Sequence, residues 1–173
     1  MNLKPQDILF LLKLIAIEDK RLSYGSLAFE LGMSSSEVHA AAKRAIAARL
    51  AIQDEDRVVP SVRNLEEFLI HGIRYAFVPE RSGIVRGMPT AHAVSPLQDA
   101  FVISEEYPPV WPDAEGEVRG EGFSPLYKSA SYAARRDSDL YELLALVDAI
   151  RGGRTREREL SVKLLKDRLA QYG

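Results

Sequence analysis

The residues most able to recognise another molecule lie between Ser34 and Arg49, where short polar and basic side chains are frequent. On a helix, one edge of this stretch carries Ser34, Ser35, Ser36, His39, Ala40 and Lys43. Serine hydroxyls donate and accept hydrogen bonds, lysine donates with a positive charge, and alanine offers a small apolar contact. Serine and alanine match the base edges and thymine methyls in the major groove of DNA, and lysine can reach either guanine or a phosphate. Arg44 and Arg49 are predicted to contact backbone phosphates, which position a protein without reading sequence.

Two short helices joined at Gly32 are predicted to hold this edge in place. Ser23 can cap the first helix, and Gly32 can adopt the left-handed conformation that ends it. Ser34 and Glu37 have the spacing of a capping box, which starts the second helix. Because each boundary has its own local signal, nearby residues specify the whole unit.

The two helices are expected to pack through small and branched apolar residues. The first helix contributes Leu27, Ala28 and Leu31, and the second contributes Val38, Ala41, Ala42 and Ala45. This layout is typical of a helix-turn-helix, whose second helix enters the major groove. The same pattern also occurs in helical domains that never bind DNA, and the residues alone leave both interpretations open.

Flanking segments favour a winged helix domain over residues 1–63. The segment from Pro5 to Glu18 is strongly apolar and has proline in its first turn, as expected of a helix. Downstream, Ala51–Gln53 and Arg57–Val59 are predicted to form the strands of a hairpin around an acidic tip, Asp54–Asp56. Three helices followed by a hairpin make a winged helix.

In these residues the chain resembles bacterial winged helix-turn-helix transcriptional regulators, in the broad manner of the MarR-like proteins. The resemblance covers about the first sixty residues. It is carried by Leu27-Ala28, Leu31-Gly32-Met33-Ser34, Ser36 and Val38. It implies sequence-specific binding of double-stranded DNA by a homodimer at paired half-sites.

The acidic hairpin tip departs from the family, because a wing that enters the minor groove usually carries arginine or lysine. We therefore expect the hairpin to stand off the DNA or to meet a protein.

Composition bounds the function of the chain. The 173 residues include 46% hydrophobic residues and no cysteine, which fits a folded protein of a reducing cytoplasm and excludes cysteine-ligated metals. The longest apolar run is too short to span a bilayer and no signal peptide is visible, so a cytoplasmic location without membrane contact is predicted. The net charge is −2, but the acidic excess lies within residues 64–125, so a locally basic face is still available elsewhere.

The first predicted helix is apolar on every side from Ile8 to Ile17, and Lys13 is its one polar exception. A helix of this kind must be covered on several faces. Either the C-terminal helices or a partner subunit can supply the cover. We favour a two-fold homodimer, because that symmetry matches palindromic half-sites.

Residues 64–136 are predicted to combine one helix with an ordered but irregular segment. Asn64 and Glu67 have capping-box spacing, which predicts a helix that continues to Phe77. Seven of the nine prolines and six of the eleven glycines lie between residues 72 and 125, which disfavours regular helix there. Scattered aromatic residues indicate that this part is folded, with a short strand at Ala100 to Ser104.

Residues 137–173 are predicted to form a helical hairpin. Asp137 or Ser138 can cap a helix that ends at Gly152-Gly153, and Thr155 can start the last helix. Four arginines surround the turn: Arg151, Arg154, Arg156 and Arg158. They are candidates for contacts with phosphate or with a protein partner, and ordinary solvated surface is an equal alternative.

The expected fold is mainly α. It consists of an N-terminal winged helix-turn-helix with a short β-hairpin wing, an irregular Pro/Gly-rich middle segment and a C-terminal helical hairpin. The sequence contains no dinucleotide-binding, phosphate-loop, zinc-protease or nucleophile-elbow motif, so neither an enzyme nor a cofactor is predicted. We predict a transcriptional regulator that binds double-stranded DNA and controls its own operon.

A second function stays open. Two segments, Arg86–Ala91 and Ser124–Ser129, are similar to uncharacterised bacterial proteins associated with nucleotidyltransferase-type toxin pairs. This resemblance implies an antitoxin-like interaction protein that binds a neighbour-encoded partner and uses its winged helix for docking.

Overall fold

A computed structural model describes residues 1–101 and 107–172 of the chain. The described part combines helices with two small sheets and is 56% helical, so the mainly helical character is confirmed within a mixed α/β fold. The helices are α1 (Pro5–Ile17), α2 (Tyr24–Leu31), α3 (Ser35–Ala47), α4 (Val62–His71), α5 (Ile73–Ala76), α6 (Leu97–Ala100), α7 (Ala130–Arg136), α8 (Ser138–Gly152) and α9 (Thr155–Ala170). The strands are β1 (Ala51–Asp54), β2 (Arg57–Pro60), β3 (Arg81–Pro89), β4 (Pro109–Pro112) and β5 (Val118–Phe123).

The N-terminal part of the chain forms the helices, turn and hairpin that local signals predict. Ser23 caps α2, since its side-chain oxygen accepts a hydrogen bond from the Ser26 backbone N–H at 3.0 Å. Gly32 ends α2 in the left-handed conformation, with a φ of 66°. Ser34 and Glu37 form the capping box at the start of α3. β1 and β2 then pair antiparallel as a hairpin.

The fourth helix begins earlier than predicted. α4 starts at Val62, and Asn64, expected to cap it, lies inside its first turn. The Asn64 side-chain amide donates a hydrogen bond to the Arg49 carbonyl at 2.8 Å, which ties α4 to the residues that follow α3. α4 is followed at Gly72 by the one-turn helix α5, which ends at Ala76. The predicted capping box is wrong, while a helix in this region is confirmed.

The Pro/Gly-rich middle segment contains a small closed sheet, so the prediction of an irregular segment is wrong. β3 pairs antiparallel with both β4 and β5, and β4 pairs parallel with β5, which gives each strand two neighbours. Glycine permits this packing: a Cβ atom on Gly87 would lie 2.1 Å from the Trp111 carbonyl oxygen. Of the strand predicted at Ala100 to Ser104, Ala100 ends α6 instead, and residues 102–106 lie outside the described residues.

The C-terminal part forms the predicted helical hairpin. Asp137 caps α8, because its carboxylate accepts hydrogen bonds from the N–H groups of Asp139 and Leu140, each at 3.1 Å. α9 starts at Thr155, as predicted. α8 is buried throughout Leu143–Arg151 and contacts α1, α4, α5, α7 and α9, so it is the central helix of the molecule.

The apolar first helix is covered by its own chain. Residues Ile8–Leu12 and Ile15 have no exposed surface, and α1 packs against α3, α8 and the hairpin strand β2. Lys13, the polar exception, forms a 2.8 Å ion pair with Asp137. The C-terminal helices thus supply the cover for which a partner subunit was the alternative. The argument for a homodimer from an uncovered α1 is therefore removed.

One cluster of buried apolar side chains runs through all three predicted segments. It includes Leu12 from the first segment, Leu69 and Trp111 from the second and Leu143 from the third. The N-terminal helices and the C-terminal hairpin therefore share a core. Within the described ranges, every helix is too short or too polar to cross a membrane.

Candidate nucleic-acid interface

The polar edge of α3 faces solvent. Five of the six residues predicted on this edge are exposed: Ser34, Ser35, Ser36, His39 and Lys43. The sixth, Ala40, is half-buried. The opposite face is buried against α1 and α2, as predicted, and consists of Val38, Ala41, Ala42 and Ala45. Small alanine side chains permit this close approach of the helices. The side chains predicted to meet bases are therefore accessible as a group.

Arg44 is half-buried and its guanidinium is paired with a buried carboxylate, which corrects its predicted role as a phosphate contact. Its Nε and Nη2 atoms donate to the two carboxylate oxygens of Asp7, each at 2.8 Å, and Asp7 is fully buried. The hydrogen bonds to Asp7 raise the pKa of Arg44. Asp7 also accepts a hydrogen bond from the Lys4 backbone N–H at the start of α1. This bidentate ion pair attaches α3 to α1, and it occupies two of the three guanidinium nitrogens of Arg44.

Two other basic side chains remain accessible on the C-terminal half of this surface. Lys43 is exposed one turn after His39. Arg49 is exposed between α3 and β1, at a left-handed backbone position with a φ of 64°. The hydrogen bond between Arg49 and Asn64 uses the Arg49 carbonyl oxygen and not its guanidinium. Both cations are therefore placed at the surface, as their predicted roles require.

The first turn of α3 is contacted from the C-terminal half of the chain. Glu37 accepts a hydrogen bond from the Tyr127 hydroxyl at 2.5 Å and another from the Ser34 backbone N–H at 3.4 Å. The Tyr127 hydrogen bond is the main cause of a lowered pKa of Glu37, and the same contact raises the pKa of Tyr127. The next residue, Lys128, is exposed. Tyr127 and Glu37 are 90 positions apart, so no local pattern predicts their contact.

His39 lies on the exposed edge and also contacts α2. Its imidazole ring is 4.1 Å from the ring of Tyr24, centroid to centroid, at an interplanar angle of 47°. Tyr24 is the first residue of α2 and lines a cavity of about 410 Å³ between α1, α2 and the hairpin. The ring contact limits the orientations open to His39.

α7 covers the turn between α2 and α3. The Tyr132 hydroxyl donates to the Phe29 carbonyl at 3.0 Å, and Arg136 forms a 3.0 Å ion pair with Glu30. The Arg136 guanidinium also lies 4.3 Å from the centre of the Phe29 ring. A Cβ atom on Gly32 would lie 2.8 Å from Cδ1 of Tyr132. The turn therefore needs glycine both for its left-handed backbone and for the approach of α7.

The hairpin presents an acidic tip, as the sequence indicates. Asp54, Glu55 and Asp56 are exposed, and Arg57 lies 4.0 Å from the Asp54 carboxylate. The Gln53 side-chain amide donates to the Glu55 carbonyl at 2.9 Å and closes the turn. Three carboxylates at one tip oppose the approach of a phosphate backbone.

The basic cluster at the C-terminal turn divides into a buried member and surface members. Arg151 is buried, pairs with Asp148 and donates to the backbone carbonyls of Phe77 and Ser124. Its predicted role in binding phosphate or a partner is therefore wrong. Arg154 and Arg156 are exposed and Arg158 is half-buried, so these three stay candidates.

Asp148 and Arg151 belong to a buried polar network that joins α8 to the closed sheet. One Asp148 carboxylate oxygen accepts from the Thr90 hydroxyl at 2.6 Å and from the Trp111 indole N–H at 2.8 Å. The other accepts from the Arg151 guanidinium at 2.9 Å. These donors satisfy a carboxylate that is only 1% exposed, so the network holds the structure together. Sequence reasoning missed it, although an acid and a base three positions apart on a helix were a visible signal.

Other potential sites are weaker than the α3 edge. The described residues contain no group of three or more His, Cys, Asp or Glu side chains that could hold a metal ion. A polar cavity of about 460 Å³ lies beside the start of α9 and is lined in part by Arg81, His92, Glu121 and Glu157. Its charges are mutually engaged: Arg81 lies 3.7 Å from Glu121, and His92 lies 3.5 Å from Glu157.

No protein-family model matches the chain, and neither a curated protein nor a solved structure matches it significantly. The resemblance of the N-terminal residues to winged helix regulators therefore stays a prediction. The candidate interface rests on the geometry of this chain alone.

Proposed function

We propose that the protein binds double-stranded DNA through the exposed edge of α3. The observation that carries the proposal is the accessibility of Ser35, Ser36, His39 and Lys43 along a helix whose other face is buried. Serine suits several base edges, and a small residue such as Ala40 can meet a thymine methyl group. A helix that presents short side chains fits the major groove, which is about 12 Å wide.

The remaining charges have distinct roles in this proposal. Lys43 and Arg49 contact backbone phosphates. Arg44 does not contact DNA but holds α3 against α1 through its ion pair with Asp7. The net charge of −2 and the acidic hairpin tip predict modest nonspecific affinity that falls as salt rises. A winged helix formed by α1 to α3 with the β1–β2 hairpin, and control of the protein's own operon, belong to the same proposal.

The test is a selection of bound DNA sequences with the purified full chain at stated salt, followed by titration of the selected site. Lys43→Ala should weaken binding to selected and unselected DNA alike, by roughly three- to tenfold, because one phosphate contact is lost. Ser36→Ala should relax sequence preference instead, since base contacts specify. Lys166→Ala, at an exposed position on α9, is the matched control and should leave binding unchanged.

The promoter of the protein's own operon is the natural second target. A selected sequence should occur there if the protein regulates its own synthesis. Circular dichroism and urea unfolding of each variant separate a binding defect from a folding defect. Selection that enriches no sequence, together with unchanged affinity of Lys43→Ala, would contradict the proposal.

A second candidate function is docking of a protein partner on the N-terminal part of the chain. Two large apolar side chains exposed there favour it, Phe29 on α2 at 62% and Ile52 on β1 at 57%. Ile52→Asp should abolish a complex with a neighbour-encoded protein and leave DNA binding intact, whereas Lys43→Ala should do the reverse. A complex that survives Ile52→Asp would contradict docking at the hairpin.

A further inference from the structure

We propose that the nucleic-acid face includes a second element, the bracing loop formed by residues 126–129 before α7, in which Lys128 contacts a DNA phosphate and Tyr127 positions α3. The inference rests on the proposed DNA-binding function. It extends that function to residues 126–129, for which the sequence pattern predicted no contact with DNA. Its basis is the packing of the bracing loop on α3.

Tyr127 reaches α3 at its first turn. Its hydroxyl donates to Oε2 of Glu37 at 2.5 Å, and Oε1 of Glu37 accepts from the Ser34 backbone N–H. Both carboxylate oxygens are thus occupied by donors from the protein itself. The two hydrogen bonds fix the Glu37 side chain between the start of α3 and the loop that carries Tyr127.

Lys128 supplies a cation at the same place. Its side chain is exposed, and its Nζ atom lies 5.7 Å from the centre of the Tyr127 ring. Its charge contributes to the lowered pKa of Glu37, in agreement with this proximity. Glu37 follows the exposed turn Ser34–Ser36, so Lys128 stands near the N-terminal end of the α3 edge. Lys43 stands near the other end, and the two lysines bracket the serines.

The spacing of this bracket suits a major groove. The edge from Ser34 to Lys43 spans about 14 Å at 1.5 Å per residue. A helix about 10–12 Å in diameter fits a groove about 12 Å wide, so cations beside its two ends can reach the phosphates that border the groove. The short side chains between them then face the base pairs. Phosphate contacts at both ends would fix the register of the helix.

The end of the bracing loop and the start of α7 pack together against the turn that precedes α3. Ser129 and Ala130 are buried, and Ser129 Cβ lies 3.2 Å from the position that a Cβ atom on Gly32 would occupy. The Tyr132 hydroxyl bonds to the Phe29 carbonyl at the end of α2. The backbone that follows Lys128 is therefore packed against α2 and α3, and this packing fixes the position of Lys128 relative to α3.

The experiment measures the affinity of the full chain for its selected DNA site over a series of salt concentrations. Lys128→Ala should weaken selected and unselected DNA equally, by roughly three- to tenfold, and reduce the slope of log affinity against log salt by about 1. Tyr127→Phe removes no charge, so it should keep the slope and weaken the selected site more than unselected DNA. Lys166→Ala is the control for a lysine away from the interface.

The outcomes separate this inference from the proposed function. If Lys128→Ala behaves like Lys166→Ala while Lys43→Ala reduces the slope, the second element is refuted and the α3 interface stands. If the wild-type chain shows no salt-dependent binding to DNA, both fail together. Should Lys128→Ala unfold at a lower temperature than wild type, Lys128→Gln keeps much of the side chain, and an unchanged slope in that variant overturns the inference.

Discussion

Asp148 is the side chain on which the joint between α8 and the closed sheet depends. It accepts hydrogen bonds from Thr90, Trp111 and Arg151, and it is buried together with the Arg151 guanidinium. Removing the carboxylate leaves a buried cation without its counter-charge, which costs more than the loss of an ordinary hydrogen bond. We expect Asp148→Ala to lower the free energy of unfolding by about 3–5 kcal/mol, measured by urea denaturation.

The control for this substitution is Glu142→Ala on the exposed side of α8, which should stay within about 0.5 kcal/mol of wild type. Replacing both partners, as Asp148→Leu with Arg151→Met, should recover part of the loss because no unpaired charge remains buried. A loss below about 1 kcal/mol for Asp148→Ala alone would show that the network does not hold the joint.

Tyr141 tests the same joint through pH. Its hydroxyl donates to the Pro89 carbonyl at 2.5 Å, and burial raises its pKa to about 12. A tyrosine in the unfolded chain has a pKa of about 10, so at higher pH the unfolded state loses its proton first and becomes favoured. The contribution of Tyr141 to stability is therefore complete below about pH 10 and declines as pH rises toward 12.

The midpoint temperature of thermal unfolding should fall less steeply with rising pH, between about pH 10 and 12, for Tyr141→Phe than for wild type. Tyr75→Phe is the matched control, because the Tyr75 side chain is 70% exposed and should leave the wild-type slope unchanged. Equal slopes for Tyr141→Phe and wild type would mean that this hydroxyl does not titrate with folding.

Sequence reasoning about single residues succeeded where the residue type and its helical position decide the outcome. The exposure of Ser36 and Lys43 follows from helical spacing alone. The roles of Arg44 and Arg151 do not, because an arginine at a helix surface and one turned into the core differ only in what lies opposite. Asp7 is 37 positions from Arg44, and that distance hides the pair from any local pattern.

At the scale of elements, the turn between α2 and α3 requires a glycine for two reasons, its backbone conformation and its packing. Gly32 has a φ of 66°, and α7 leaves no room for a side chain there. Gly32→Ala should lower the free energy of unfolding by about 1–3 kcal/mol, measured by urea denaturation.

Gly25 offers the matched comparison, because it lies inside α2 and a Cβ atom there would meet no atom closer than 3.8 Å. Gly25→Ala should raise stability by about 0.5–1 kcal/mol, since alanine favours the helix. If Gly32→Ala is as stable as wild type, α7 must be able to move away from the turn, and the rigid support inferred for the bracing loop would be lost.

The elements themselves differ in how far local signals determine them. α2, α3 and α8 carry caps or terminating glycines next to apolar stripes, so their existence and most of their boundaries are predictable. The closed sheet depends on pairing between β3 and strands more than twenty residues further along the chain, and its glycines and prolines resemble loop signals. The pairing of strands distant in the chain is therefore the part of this fold that local sequence patterns do not predict.

At the scale of the whole molecule, α1 links the candidate interface to the C-terminal helices. The Asp7–Arg44 pair attaches α1 to α3, and the Lys13–Asp137 pair attaches it to the start of α8. The bracing loop adds a second connection, through Tyr127 and Glu37. The exposed edge of α3 is therefore supported from behind by α1, which is itself paired with the start of α8, and from its N-terminal end by Tyr127, which lies late in the chain.

The enclosure of α1 by α8 limits how this protein can be rearranged by recombination. A graft of residues 1–63 onto another scaffold would carry α1 without the cover that α8 supplies, and such a chimera would associate through the uncovered face. Gene shuffling must keep the opening and closing thirds of the coding sequence together. Among homologues, residues on the inner sides of α1 and α8 are expected to change in concert.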